Sequence, residues 1–403
     1  MESLPTVILR PGEADRVVAG HPWIYQGSIL GLTQPANDGD VVQVKDHRQR
    51  WLGVGFYNSM SKIRVRVLAQ DRVLIDESFF ESRIRAALAV RQRHLPSSTS
   101  FRVVNAESDF LSGLIVDKYE EVLVVQLASL GMDRRKSPIV SALQKIFSPR
   151  AIVERSDTSF RRFEGMAEAN GVLAGELAGP VPIRLNGLQF EVDVGSGHKT
   201  GLYLDQQVNY QRIAELVALT PGAQVLDCFC FLGGFALHAA RAGAARVHGI
   251  DQSAEAVAAA GKTAANNGLA DRCSFEAANV FDWLKAQTLA GPAQKVIPRF
   301  DCVILDPPSF TRNRAAVPDA LRGYKEIHLR ALKLLKAGGT LATFCCSHHV
   351  DAATFKDVIL AAAYDARRIL RRVATLSQSP DHPVIPAIPE TEYLKGFAFE
   401  IVR

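Results

Sequence analysis

Five short stretches in the second half of the chain, at 225–229, 246–251, 273–277, 302–305 and 340–344, read as strands, the last two as apolar runs, and alternate with alanine-rich stretches of helical periodicity at 235–242, 254–267 and 322–335. No other pattern in the sequence constrains the fold as tightly. A strand that is apolar along its length must be covered on both faces, and strand–helix–strand connections do this by laying helices over a parallel sheet. The expectation is a doubly wound α/β domain over residues 191–403. Ligands of such sheets lie beyond the carboxyl ends of the strands. The residues that follow each run are therefore the first candidates for function.

The first half has a different texture. Residues 1–73 read as short strands with turn punctuation: Asp38-Gly39-Asp40, then runs at 41–45, 51–56 and 63–68. The last run alternates apolar and basic residues, which predicts one buried face and an opposite face presenting Arg64 and Arg66. This pattern suits a small β-barrel-like module. Between 41 and 70, Lys45, Arg48, Arg50, Lys62, Arg64 and Arg66 stand against Asp46, an excess of five. Such a face suits a phosphate backbone, and equally a solvated strand. Residues 74–190 predict a compact α+β unit: helices at 76–95 and 136–146, strands at 101–104, 114–117, 122–127 and 151–154, and a hairpin turning at Asn186-Gly187.

At 403 residues, two or three domains are expected, and 47% hydrophobic with 22% charged residues suits a globular protein. No apolar run approaches membrane-spanning length, and residues 1–15 lack a basic start followed by an apolar core. The expectation is a cytoplasmic protein with no membrane partner. All six cysteines lie in the second half without the spacing of a disulfide framework or a zinc site, so neither disulfides nor a metal are expected.

Val225-Leu226-Asp227-Cys228-Phe229-Cys230-Phe231-Leu232-Gly233-Gly234-Phe235 runs from a strand into a helix. Gly233 and Gly234 allow either close approach of a ligand to the backbone or an ordinary tight turn. Asp251 ends the next strand, where an acid can accept hydrogen bonds from ribose hydroxyls. The loop lacks Gly-x-Gly-x-x-Gly. Asp227 at its mouth would repel a pyrophosphate and attract the ammonium of an amino-acid moiety, which favours S-adenosylmethionine over NAD. Asn279 follows the third strand, placed to meet an adenine or to cap the next helix.

Two further segments bring reactive groups to the same rim. Asp306-Pro307-Pro308-Ser309-Phe310 offers a carboxylate and a rigid turn, since proline lacks an N–H and biases its predecessor to extended geometry. Phe344-Cys345-Cys346-Ser347 offers a thiol. Strand alternation should point Cys345 into the core and Cys346 the other way. Cytosine C5 becomes nucleophilic when a thiolate adds to C6, so Cys346 is the candidate nucleophile, with His348 and His349 nearby in sequence.

With these segments together, the chain resembles the class I S-adenosylmethionine-dependent 23S rRNA cytosine-5 methyltransferases that carry an N-terminal PUA domain. Further motifs support the resemblance: Gly20-His21-Pro22-Trp23-Ile24-Tyr25, Asn105-Ala106-Glu107-Ser108-Asp109, Arg161-x-x-Glu164-Gly165, His198-Lys199-Thr200-Gly201-Leu202-Tyr203-Leu204-Asp205-Gln206, Arg322-Gly323-Tyr324-Lys325-Glu326-Ile327 and Asp381-His382-Pro383-Val384. The resemblance implies a PUA β-barrel over 1–73, a small central α+β domain over 74–190 and a Rossmann-like class I methyltransferase domain over 191–403. It implies Cys346 and Asp306 as catalytic. Lys199, Thr200, Tyr203, Asp205, Asp227, Phe229, Gly233, Gly234, Asp251, Asn279 and Asp306 would hold S-adenosylmethionine. With the basic face, it puts His21, Arg48, Lys62, Arg64 and Arg66 forward as contacts to ribosomal RNA, and it leaves a homodimer open. Two residues depart from the family pattern: Asn279 stands where Asp is more frequent, and Gln207 where Arg is usual. A related branch with the same Asp-Pro-Pro framework methylates guanine and lacks a thiol at the Cys346 position. Against both stands a non-catalytic RNA-binding assembly factor with a vestigial pocket.

Overall fold

The computed structural model describes residues 4–158, 160–195, 201–289, 296–311 and 313–403. It divides into two compact units. The first joins Met1–Leu185, Glu191–Leu204 and Pro380–Glu392; the second joins Asn186–Phe190, Asp205–Ser379 and Tyr393–Arg403. Residues up to Leu185 fall in one unit because Phe56 and Leu68 are buried in the same apolar core as Phe80, Ile84 and Val116.

In the first unit, a six-stranded sheet runs in the order Trp23–Tyr25, Ile63–Ala69, Trp51–Tyr57, Val41–Lys45, Thr6–Leu9, Ile29–Leu32. A five-stranded sheet follows in the order Ala169–Gly175, Ala151–Ser156, Val122–Leu127, Leu114–Tyr119, Ser100–Asn105. The helices Glu77–His94 and Lys136–Phe147 lie where the apolar periodicity placed them, and the first is capped by Asp76, whose carboxylate accepts from the Phe79 N–H. Val181–Leu185 and Leu188–Val192 form the expected hairpin. Asn186 (φ 51°) and Gly187 (φ 84°) are both left-handed, as a two-residue Asn-Gly turn requires.

Several family-like motifs serve here as internal ties. Arg91 is fully buried and its guanidinium pairs with Asp109, Nη2 to Oδ2 at 2.7 Å; the same Nη2 donates to the Asp381 carbonyl at 2.7 Å. Removing one partner of such a pair strands the other charge in the core. Arg91→Met should therefore cost about 3–5 kcal/mol, read as a lowered denaturant midpoint.

The second unit is built on seven strands: β1 (Gln224–Cys228), β2 (Arg246–Asp251), β3 (Cys273–Ala277), β4 (Phe300–Leu305), β5 (Leu335–Cys345), β6 (Leu370–Ser377) and β7 (Lys395–Ile401). Their order is β3-β2-β1-β4-β5-β7-β6. The first five are parallel, while β7 runs antiparallel to both neighbours. The flanking helices are α1 (Gln207–Ala218), α2 (Gly234–Arg241), α3 (Ala254–Asn266), α4 (Val280–Thr288), α5 (Val317–Leu334) and α6 (Ala352–Asp365). Leu226, Val303, Leu341 and their neighbours are buried against Tyr324, Ile327 and Phe355 of the helices. The strand order reverses between β1 and β4, which opens a crevice there at the carboxyl ends. Among the described residues, no helix is long and apolar enough to cross a membrane.

Candidate active site

Three adjacent strands each deliver a carboxylate near this crevice: Asp251 ends β2, Asp227 lies within β1, and Asp306 follows β4. Asp227 is deeper than the sequence suggested. It is fully buried, and its Oδ2 accepts from the Ala236 N–H in the first turn of α2 at 2.9 Å. Its Oδ1 has no hydrogen-bond partner among the described residues. Burial pushes this carboxyl well above the usual carboxylate range; the charges of Asp306 and Asp251 add to the rise, and the Ala236 N–H opposes it. A buried acceptor with one empty lone-pair side costs free energy unless a donor arrives.

The turn from β1 into α2 is wound tightly. Phe229 (φ 64°) and Phe231 (φ 47°) both adopt left-handed backbone, which costs a non-glycine residue and persists only where the surroundings hold it. Asp251 supplies part of that hold: its Oδ2 accepts from the Phe231 N–H at 3.0 Å and its Oδ1 from the Ser253 N–H at 2.9 Å. The Cys230 N–H donates to the Ile250 carbonyl at 3.0 Å. Gly233 (φ 78°) needs its left-handed conformation, and a Cβ there would also press Phe275 at 3.2 Å. Gly234 answers to packing: a Cβ would sit 2.5 Å from the Tyr210 ring. Asn279 caps α4, its Oδ1 accepting from the Phe281 and Asp282 N–H groups at 2.9 and 3.2 Å. That leaves its side-chain amide as the donor facing outward.

The reactive rim forms between β4 and β5. Cys346 is half-exposed, and its Sγ lies 3.9 Å from the Pro307 carbonyl oxygen. Cys345 is fully buried and points the other way, to the Tyr324 hydroxyl at 3.3 Å. Asp306 is oriented by Gln206, whose Nε2 donates to its Oδ2 at 3.0 Å; Asn209 in turn donates to Gln206 Oε1 at 2.6 Å.

Two features of the rim escaped the sequence reading. Ser347 is 1% exposed and ties the loops together: its hydroxyl meets Ser309 Oγ at 2.8 Å and the Tyr324 hydroxyl at 3.2 Å, while its carbonyl accepts from Lys395 Nζ at 2.6 Å. The Asp-Pro-Pro-Ser and Cys-Cys-Ser segments contain these serines, but only the parallel pairing of β4 with β5 brings them together. The second feature is an aromatic wall. Phe229 meets Phe281 and Phe310 at ring distances of 6.5 and 6.4 Å, and Phe310 meets Tyr324 at 4.6 Å.

Other expected contacts fall elsewhere. Lys199 and Thr200 lie outside the described residues. Tyr203 is half-buried in the first unit, whereas Asp205, in the second, accepts from the Tyr393 hydroxyl at 2.7 Å. Gln207 is buried, so it offers no surface contact. His21 is 2% exposed, with Nε2 held 3.0 Å from Glu390 and Nδ1 accepting from the Trp23 N–H. It is a packing residue and not a surface contact. Arg66 is also spent internally, on Glu164 at 2.9 Å and Glu107 at 3.4 Å. Val65 and Val67 are buried on one face of this strand as expected, while Glu107 and Glu164 cover Arg66 on the other. Arg64 is half-buried with a bond to the Asn58 carbonyl, and Arg48 and Lys62 are exposed.

Comparison with known proteins accords with this geometry. Residues 7–70 match the PUA-like domain family, and residues 155–396 match the S-adenosylmethionine-dependent methyltransferase family. Over 98% of both chains, the protein is 41% identical to ribosomal RNA large subunit methyltransferase I of Shewanella amazonensis. It is 36% identical to the protein of that name from Klebsiella pneumoniae, over 99% of this chain and 98% of the relative. The chain belongs to the S-adenosylmethionine-dependent methyltransferases, in the family of these large-subunit enzymes. The fold agrees. A candidate methyltransferase from Streptococcus mutans superposes with a TM-score of 0.81 at 19% identity, covering 98% of this chain and 99% of that one.

The methyltransferase takes S-adenosylmethionine as its cofactor, and the residues present fit it. The unpartnered Oδ1 of Asp227 has the chemistry to receive an ammonium, and the left-handed turn at Gly233 keeps side chains away from the backbone beside it. The serine tie gives the methyltransferase a testable dependence. Ser309→Ala should lower kcat about tenfold with little change in KM, because it loosens Cys346 against the Pro307 turn. Ser309→Thr, which keeps the hydroxyl, should restore the rate; steady-state kinetics on both variants checks this.

Proposed function

We propose that this enzyme methylates C5 of a cytosine in large-subunit ribosomal RNA, with Cys346 as the nucleophile. The observation that carries the reading is the split of the cysteine pair: Cys345 is buried against Tyr324, while Cys346 stands half-exposed beside the Asp306-Pro307 turn. A nitrogen acceptor needs no thiol, because its lone pair attacks directly. A carbon acceptor does need one.

Bound S-adenosylmethionine supplies an electrophilic methyl carbon. Asp227 would hold its amino-acid end, Asp251 its ribose and the Asn279 amide its adenine, with Phe229 and Phe281 offering apolar faces. Cys346, as thiolate, adds to C6 of the cytosine, and the displaced electron pair makes C5 able to take the methyl group. Loss of the C5 proton to a base then re-forms the ring double bond and expels the thiolate. Asp306, held by Gln206, would orient the base, and the Pro307 carbonyl, which accepts from the Cys346 thiol, would hold that thiol in place. Chemistry on a base requires that it leave the stack. The first unit would hold the flanking RNA, with the exposed Arg48 and Lys62 and the half-buried Arg64 on phosphates. The names of the relatives and the PUA-like match support RNA as the substrate, a substrate that suits a cytoplasmic enzyme.

Mass mapping of ribosomal RNA from cells with and without this protein tests the reading. One cytosine should lose a methyl group in its absence. A methyl missing from guanine would refute the carbon chemistry. An unchanged map, with no S-adenosylmethionine binding by calorimetry, would favour the assembly factor.

A further inference from the structure

At the amino ends of β4 and β5, away from the rim, the second unit carries a concentrated positive surface. Arg330, Lys333, Arg367 and Arg368 line an open cavity there, and Arg371 and Arg372 continue from it along β6. Glu326 and Glu400 pair with Arg330 and Arg371, while the neighbouring Asp365 and Asp301 are taken by two further cations, Lys325 and Lys336. The local excess of four compares with +5 for all 403 residues.

Three of the cations have no internal task. Lys333, Arg367 and Arg372 have no ion-pair partner among the described residues, and Arg367 and Arg372 are exposed. Arg368, by contrast, donates from Nη2 to the Leu335 carbonyl at 2.9 Å, and Arg330 is held by Glu326 and Thr288. Beside them Tyr364, at the end of α6, is 84% exposed, and its carbonyl accepts from the Arg367 N–H at 3.0 Å. Charge on an edge strand also deters pairing with another chain. That accounts for Arg371 and Arg372 on β6 and leaves Lys333, Arg367 and Tyr364 unexplained. Unpaired cations beside an exposed aromatic ring are what a nucleic-acid strand recruits: charge for phosphates and a π-face for an unstacked base.

We propose that this surface is a second RNA grip, taking the phosphate backbone on Lys333, Arg367 and Arg372 and a single-stranded base on Tyr364. It rests on the reading that the substrate is RNA. β4 spans Phe300–Leu305, so the amino end of β4, where the cavity opens, lies about 20 Å from Asp306 along the strand, as the rise per residue gives. An RNA engaged at both points must extend over several nucleotides beyond the target base.

The test uses the full chain and a fluorescein-labelled single-stranded RNA oligonucleotide of mixed sequence, with binding followed by anisotropy over a salt series. The triple variant Lys333→Gln, Arg367→Gln, Arg372→Gln should bind at least about tenfold more weakly, and the slope of log affinity on log salt should fall by about two. Tyr364→Ala should weaken single-stranded binding by about tenfold and duplex binding far less. Calorimetric S-adenosylmethionine binding should be unchanged in both. If the triple variant fails to fold, Arg367→Gln alone should lower the slope by about 0.7. Unchanged affinity and slope would overturn the proposal, as would wild-type binding to anionic phospholipid vesicles with none to RNA. A lowered slope with no methylated cytosine in the mass map would sink the cytosine reading and leave the grip standing. A mapped cytosine with an unchanged slope would do the reverse.

Discussion

Cys346→Ala should reduce methyl transfer on the order of 10⁴-fold while leaving S-adenosylmethionine affinity unchanged, because loss of a covalent nucleophile removes the route and not the binding site. Cys345→Ala is the matched control. Its thiol is buried in the apolar core and meets the Tyr324 hydroxyl on the far side of the strand. Its loss should cost some stability through a small cavity and leave the rate within a few-fold of the wild type, as an order-of-magnitude expectation. Filter-binding assays of labelled methyl on ribosomal RNA read both. Retained transfer by Cys346→Ala would end the covalent mechanism and return the guanine-type alternative. Cys346→Ser should be equally inactive, since a hydroxyl is far less ionised than a thiol near neutral pH.

S-adenosylmethionine affinity should rise with pH and should lose that dependence in Asp227→Asn. Burial raises the Asp227 carboxyl pKa well above its usual range in the ligand-free protein. A carboxyl whose folded pKa lies above its unfolded value stabilises the fold at low pH, and that contribution fades as pH rises through the folded pKa. The cofactor's ammonium reverses the preference, because it favours the carboxylate. Binding therefore releases a proton, and affinity climbs with pH until Asp227 is ionised without help. Calorimetry in buffers of different ionisation enthalpy measures that proton directly, below the pH at which the cofactor's own amino group titrates. Asp227→Asn should bind the cofactor about 10- to 100-fold more weakly, the loss of one charge-assisted hydrogen bond. It should also raise the melting temperature of the ligand-free protein at alkaline pH, where the wild type must bury a charge. A wild-type affinity independent of pH, with no proton released, would place the cofactor's amino group elsewhere.

The residues differ in how readily the sequence revealed them. The strands at Arg246–Asp251 and Cys273–Ala277 have the bounds expected from the strand–helix alternation, although Arg246, His248 and Glu276 interrupt any apolar run in them. β6 and β7 went unread: Arg371 and Arg372 break any apolar pattern in β6, and its antiparallel pairing with β7 is a long-range event. The helices at Gln207–Ala218 and Ala352–Asp365 also went unread. His21 and Arg66 have partners that no local pattern announces. Both have the residue types of an RNA contact, yet Glu390 holds one and Glu164 the other, from 369 and 98 residues away along the chain.

What the sequence by itself determined is the set of chemical parts and their places on the strands: Asp227 lies within a strand run, Asp251 ends one, Asp306 and Cys346 follow one, and local alternation alone separates Cys346 from Cys345. What only the tertiary structure decided is how those parts are held and charged. The burial that raises the Asp227 pKa, the Gln206 bond that aims Asp306, and the Ser309–Ser347–Tyr324 tie beneath Cys346 join residues up to 100 positions apart. Side-chain chemistry and strand period are local properties and can be read along the chain. Desolvation and hydrogen-bond partnership depend on which segments the sheet order brings side by side.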